Sequence, residues 1–202
     1  MPTMTASTMR ACANFASHFR QLFLTLALLS LSAFGADDSQ ITFAEIVPGE
    51  GGYVLNADIE LDINPRLTDA ITRGVALHFV AELLVERPRW YWLNEVVVER
   101  ELNYRISYHA ITRSYRLSIG AFHQSFDNLD SALLTMQRIR NWQIAGADEL
   151  APGVSHEVSL RFRHDTAQLP KPFQVTAIGS RDWNVGTEWL RWTFLPGAAT
   201  SR

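Results

Sequence analysis

The chain carries a single cysteine, Cys12, and it falls inside a stretch with the marks of an export leader. No lipobox of the Leu-x-Gly type precedes it, so no lipid anchor is expected there. Beyond Cys12 the chain can form no disulfide, thiolate nucleophile or cysteine-based metal site. Lysine is equally scarce: Lys171 is the only one, and there is no long basic run. A mildly acidic protein of this kind is not expected to bind nucleic acid. Catalytic signatures are missing as well. There is no Gly-x-Ser-x-Gly elbow, no Ser-x-x-Lys, no glycine-rich phosphate loop and no His-Glu-x-x-His helix. Neither a cofactor nor a metal is expected, and no residue is nominated as catalytic.

The longest apolar run, Leu22 to Phe34, is too short to anchor stably across a bilayer. Arg10 and Arg20 precede it, and Ala33-Phe34-Gly35 places small residues at the minus-three and minus-one positions. This pattern predicts a signal peptide over residues 1–35, cleaved between Gly35 and Ala36, and a periplasmic location. The only membrane contact expected is through an uncleaved leader. The leader holds two arginines and no acid, so its removal shifts the formal charge from −3 to −5. The remaining segment, residues 36–202, has the length and apolar content for one secreted domain held by its core alone. Hydrophobic residues make up 47% of the whole chain, with six tryptophans.

Ile41 to Val47 and the near-strictly alternating Tyr53 to Ile63 predict a hairpin around Pro48-Gly49-Glu50-Gly51-Gly52. Asn64-Pro65 is a helix start, an Asn cap followed by proline at the first helical position. An apolar stripe at Leu67, Ile71, Gly74, Leu77, His78, Ala81 and Leu84 predicts that this helix runs to about Glu86. Trp90 to Arg100, Glu101 to Ala110 and Tyr115 to Phe122 read as a meander. A second helix is expected from Asp127 or Asn128 through Leu129, Leu133, Met136 and Ile139. Trp142 to Ile144, Val154 to His164, Phe173 to Ile178 and Thr187 to Phe194 read as further strands. The expected fold is α+β, an antiparallel, curved sheet of about eight strands with two packed helices, the sheet wrapping the long first one.

Five histidines follow the leader, and none shares a metal-ligand spacing with a nearby acid. His156 and His164 share a strand face but stand about 27 Å apart at strand rise. Asp58, Glu60 and Asp62 form an acidic ladder that reads as a solvated face paired across strands with Arg161 and Arg163. An enzyme would need an acid–base pair from distant strands, such as His109 or His123 with Glu95 or Glu99.

Aromatic side chains offer more. Strand alternation would send Trp90 and Trp92 to one face and Tyr91 to the other, and Trp183, Trp189 and Trp192 crowd the C-terminal end. Aromatics at strand spacing usually build core, but exposed ones form contact platforms. Leu169-Pro170-Lys171-Pro172-Phe173 is a rigid segment with one cation, either a docking element or a corner between strands. The candidate interaction surface is therefore Trp90, Trp92, Lys171, Phe173, Trp183 and Trp189.

Trp90-Tyr91-Trp92, the run Tyr108 to Arg116, Leu169 to Gln174 and Arg181-Asp182-Trp183-Asn184 together resemble a proteobacterial domain-of-unknown-function family, the one numbered 4390. The resemblance covers about Ile41 to Pro196. It implies a secreted or envelope protein, of the kind often labelled proline-rich signal peptide protein, with no established activity. It also implies a link to a nitrogen-regulation-type sensor histidine kinase. Two functions are then in play. One is a non-enzymatic domain that binds another envelope protein. The other is a carrier of a small apolar ligand, enclosed by the sheet and first helix and lined by Trp183 or Trp189.

Overall fold

The computed structural model describes residues 39–91 and 93–197, so the leader and Trp92 lie outside the described residues. No helix among the described residues is long and apolar enough to cross a membrane. Among the described residues the fold is α+β, with nine strands in two antiparallel sheets that do not close into a barrel, and three α-helices.

Strands β1 (Gln40–Gly49) and β2 (Gly52–Glu60) form the expected hairpin, and β7 (Arg138–Gly146) joins it in the order β1-β2-β7. The larger sheet runs β6-β5-β4-β3-β8-β9. Its members are β3 (Leu77–Arg87), β4 (Glu95–His109), β5 (Ser114–Ile119), β6 (Phe122–Phe126), β8 (His156–His164) and β9 (Leu190–Phe194). Leu55, Ala57 and Ile59 of β2 and Leu83, Ile106 and Phe162 of the large sheet belong to one continuous core. Helix α1 (Pro65–Thr72) adds Leu67 and Ile71 to it, and α2 (Leu129–Met136) adds Leu129, Ala132 and Met136. The third helix, α3 (Lys171–Ala177), buries only Ala177.

The first helix is much shorter than its stripe predicts. It starts where expected, with the Asn64 side chain accepting from the Leu67 amide at 3.1 Å. It stops at Thr72 because Gly74 takes a left-handed turn, φ +89°, and its amide closes onto the Ile71 carbonyl. Leu77 to Arg87 then forms β3. Leu77, Phe79, Ala81, Leu83 and Val85 point into the core, a period of two that the helical stripe at Leu77, Ala81 and Leu84 obscured.

Other boundaries move for local reasons. Arg100-Glu101 contains no turn former, so the two strands expected on either side are one fifteen-residue strand, β4. Trp90 lies before that strand, in the β3–β4 connection. Gly120 (φ +54°) splits the third meander segment into β5 and β6. Phe173 to Ile178, expected as a strand, is helical: Pro172 falls in the first turn, where proline's fixed φ suits a helix. The long first helix wrapped by one sheet is thus replaced by two sheets and three short helices.

The acidic ladder also finds different partners. Asp58 pairs with Arg140, not with Arg161 or Arg163. Those two arginines converge on Glu82 of β3, through Nη2–carboxylate contacts of 2.5 and 2.6 Å. Glu82 also faces Glu101 across β4, a like-charge pair that the two guanidiniums offset. Burial alone would raise the Glu82 pKa; the hydrogen bonds from Arg163 and Arg161 outweigh it and hold the carboxyl below its ordinary value.

Replacing Gly74 tests the helix stop. A Cβ there meets nothing within 4 Å, so the cost is conformational alone. Gly74→Ala is expected to lower urea-unfolding stability by about 1–2 kcal/mol, and Gly74→Asn by less, since asparagine tolerates the left-handed region.

Candidate functional site

The residues nominated from sequence separate into three places. Phe173 and Trp183 gather beside α1, with Lys171 exposed at the start of α3. Trp90 stands at the far end of β3, and Trp189 lies on the outer face of the large sheet.

The first place is a groove between α1 and α3. Helix α1 turns Leu67 and Ile71 inward, which leaves Arg66, Asp69 and Arg73 on its opposite side. The facing wall is Pro170, Pro172, Phe173 and Thr176. Gln174 holds this wall in place, its amide donating to the Ala167 and Leu169 carbonyls at 2.7 and 2.8 Å. Together with Val75, Ala76 and Trp183 these residues enclose about 740 Å³. That is within the range of small-ligand sites. The groove is nevertheless open, because Arg73, Gly74, Pro170, Pro172 and Thr176 are all exposed.

Trp183 is the fixed point of this end. It is only 2% exposed, and Phe173 packs on it with ring centroids 5.9 Å apart. The Arg66 guanidinium lies 6.0 Å from its ring while pairing with Asp182 at 3.1 Å. Asn64, besides capping α1, donates its amide to the Asp182 carbonyl at 2.7 Å. One asparagine therefore starts the helix and ties it to the Arg181–Trp183 turn. From below, His164 Nδ1 is 2.7 Å from the Trp183 carbonyl. A carbonyl only accepts, so Nδ1 carries the proton. Nε2 is then left buried with no hydrogen-bond partner among the described residues, as is Trp183 Nε1.

Two ion pairs rim the groove, Arg66–Asp182 and Asp69–Arg73, the latter at 2.9 Å. Lys171 is exposed at the first position of α3 and is not among the lining residues. The rim alternates in sign over an apolar floor, which suits an amphipathic segment better than a single anion.

The second place is the β3–β4 connection, where Trp90 is 94% exposed, Tyr91 66% and Leu93 81%. Trp189, the third, is half-buried beneath the Arg161 guanidinium, 4.5 Å from its ring. It braces the arginine that binds Glu82 and is spent on the sheet.

The distant acid–base pairs do not assemble. Glu95 and His109 begin and end the same strand, about 46 Å apart at strand rise, and Glu99 is about 33 Å from His109. His123 lies on β6, two strands away from β4. No cluster of three or more His, Cys, Asp or Glu residues suited to a metal occurs among the described residues.

Sequence reasoning missed Arg66, Asp69 and Arg73, the α1 wall of the groove. They sit at i, i+3 and i+7 opposite the buried stripe, a pattern hidden once the helix is drawn too long. It also missed His164 as the support of Trp183, a contact between residues that only the folded chain brings together.

A family model described as Domain of unknown function (DUF4390) matches residues 36–193. No curated protein and no solved structure matches the chain.

Burial holds the His164 pKa below the ordinary imidazole value, only partly offset by its bond to Trp183. The sign follows: above about pH 6.5 the ring is neutral in both folded and unfolded chains, and its full contribution is present. As pH falls below 6.5 the unfolded chain takes up the proton first, so stability is lost. The urea midpoint of the native chain should therefore fall between pH 7 and pH 5.5. His164→Asn keeps a donor for Trp183 and should flatten part of that slope. His78, likewise depressed by burial, retains the remainder. An unchanged slope in the variant would remove His164 from this role.

Proposed function

The chain belongs to the Domain of unknown function (DUF4390) family, and from that premise we propose that it is an exported, non-enzymatic protein-binding module of the cell envelope. The observation that carries this reading is the α1–α3 groove: an apolar floor of Phe173 and Trp183, a rim of paired charges, and an open top. A groove open along one side leaves a small molecule half in water, whereas tight small-molecule sites bury most of the ligand. An amphipathic segment of a larger protein loses nothing by keeping its outer face wet. Helix-in-groove recognition uses this geometry, with apolar anchors on the floor and charges along the edge. The leader-like run at residues 22–34 supports an envelope location. The extracytoplasmic region of a sensor histidine kinase is one partner that the family resemblance implies.

A second reading, a carrier of a small apolar ligand, draws on the same groove. Its volume is adequate, and Trp183 lines it beside the first helix. The pocket would then close around the ligand more than it does in the described conformation.

The two readings separate in one experiment. A photo-crosslinking side chain at Arg73, on the rim, is expected to capture one dominant envelope protein in cells. Thr176→Trp fills the groove from its exposed edge without entering the core. It should reduce that capture at least ~5-fold, by the loss of about 1 kcal/mol or more of binding, while leaving the thermal midpoint unchanged. Capture that is insensitive to Thr176→Trp would rule the groove out as the protein site. No capture, together with an apolar molecule retained in native mass spectrometry and displaced by Thr176→Trp, would establish the carrier instead.

A further inference from the structure

Arg87 faces Glu95 as the last paired position of β3 and β4, so Pro88 to Tyr91 and Leu93 to Asn94 lie beyond the ladder. Among the described residues, three large apolar side chains stand clear here: Trp90, Tyr91 and Leu93. Val96, 51% exposed, continues the apolar surface onto the start of β4. Trp90 and Tyr91 touch each other edge-on, with centroids 5.0 Å apart, and make no other aromatic contact among the described residues. An apolar tip of this exposure marks an interaction site.

Two features at its base indicate what it meets. Arg89 lies 2.5 Å and Arg87 3.6 Å from the same Glu95 oxygen, so two guanidiniums share one carboxylate at the base of the tip. Both arginines stay about two-fifths exposed, at 39% and 41%, free to meet further anions. The apolar surface also stops abruptly: Glu86, Glu157 and Arg191 surround the root of the finger and none is buried. A protein partner would need a deep socket for the finger and broad contact around it, since stable interfaces cover roughly 800 Å² on each side. A bilayer needs no socket. Its headgroup zone favours the amphipathic rings of Trp and Tyr, its acyl zone takes Leu, and its phosphates attract arginine.

We infer that the β3–β4 tip is a reversible membrane-surface anchor, in which Trp90, Tyr91 and Leu93 enter the headgroup–acyl boundary of a bilayer while Arg87 and Arg89 meet lipid phosphates. This contact is independent of the α1–α3 groove and goes beyond an uncleaved leader as the only route to a membrane. It is weak by construction, comparable in kind to a single acyl chain, which alone binds with only ~10⁴ M⁻¹.

The test uses residues 36–202, which carry the whole described core and leave the apolar leader out of the readout. Vesicles of phosphatidylethanolamine and phosphatidylglycerol, 3:1, with brominated acyl chains serve as the probe. The protein is expected to co-sediment with them, its tryptophan emission partly quenched by bromine. Half-molar salt should weaken the binding without abolishing it. Trp90→Ser combined with Leu93→Ser should lower the partition coefficient about 10-fold or more. Both positions lie in solvent, so this variant should keep the native unfolding midpoint. No sedimentation at millimolar lipid would overturn the inference. So would sedimentation without quenching, complete loss in salt, or a double variant that partitions like the native chain. If tip substitutions instead remove a crosslinked protein while vesicle binding is unaffected, the tip is a protein contact and the membrane assignment fails.

Discussion

Strand β3 is hydrogen-bonded along both edges, to β4 on one side and β8 on the other, and both regions of functional interest hang from its two ends. Its inner residues enter the core and its outer face carries Glu82, bound by Arg161 and Arg163 of β8. Glu82 is half-buried and pairs with both arginines, so the cluster ties the register of β8 to that of β3. Sliding β8 by one residue would send Arg161 and Arg163 inward and Leu160 and Phe162 outward. With that register fixed, His164 falls beside the β3 start, where it supports Trp183. Arg87 falls at the β3 end, where the ladder stops and the tip begins.

Much of this was legible in the amino-acid order, and the failures share one cause. Asn64-Pro65 marks a helix start with no tertiary information, because the cap is a local hydrogen bond. The hairpin at Pro48–Gly52, the second helix after Asn128 and the alternation of β8 are equally local. Leu77 to Arg87 is different. Its apolar residues satisfy a helical period and a strand period at once, and only the presence of β4 and β8 on both sides decides between them. Gly74 was the available signal for a stop, but within an apolar stripe a glycine reads equally well as a small packing residue. Leu169 to Phe173 failed in the opposite sense. Two prolines suggest an extended corner, yet proline at the first turn also opens a helix.

The tryptophans show why a candidate surface cannot be sorted from sequence. Trp183 is buried, Trp189 is half-covered by an arginine, and Trp90 is almost wholly exposed. Nothing in the residue before them distinguishes them, since each directly follows a charged one: Arg89, Asp182 and Glu188. Trp90 differs in that Pro88 ends β3 just before it and the ladder resumes only at Glu95, which places it outside the paired region. Trp183 differs in having His164, Arg66 and Phe173 on three sides, contributed from distant parts of the chain. Exposure here is a property of strand ends and tertiary neighbours, not of residue type.

The two regions occupy opposite ends of one strand. The groove lies at the Leu77 end of β3 and the tip at its Arg87 end, about 33 Å apart at strand rise. β1 begins at the groove end: Gln40 pairs with Glu60, and the Ser39 hydroxyl accepts from the Asp62 amide just before α1. If the tip meets a bilayer as inferred above, the groove at the other end of β3 faces the aqueous space and is open to a partner from solution. The distance between groove and tip is then set by β3 alone, whose register β4 and β8 hold along both edges.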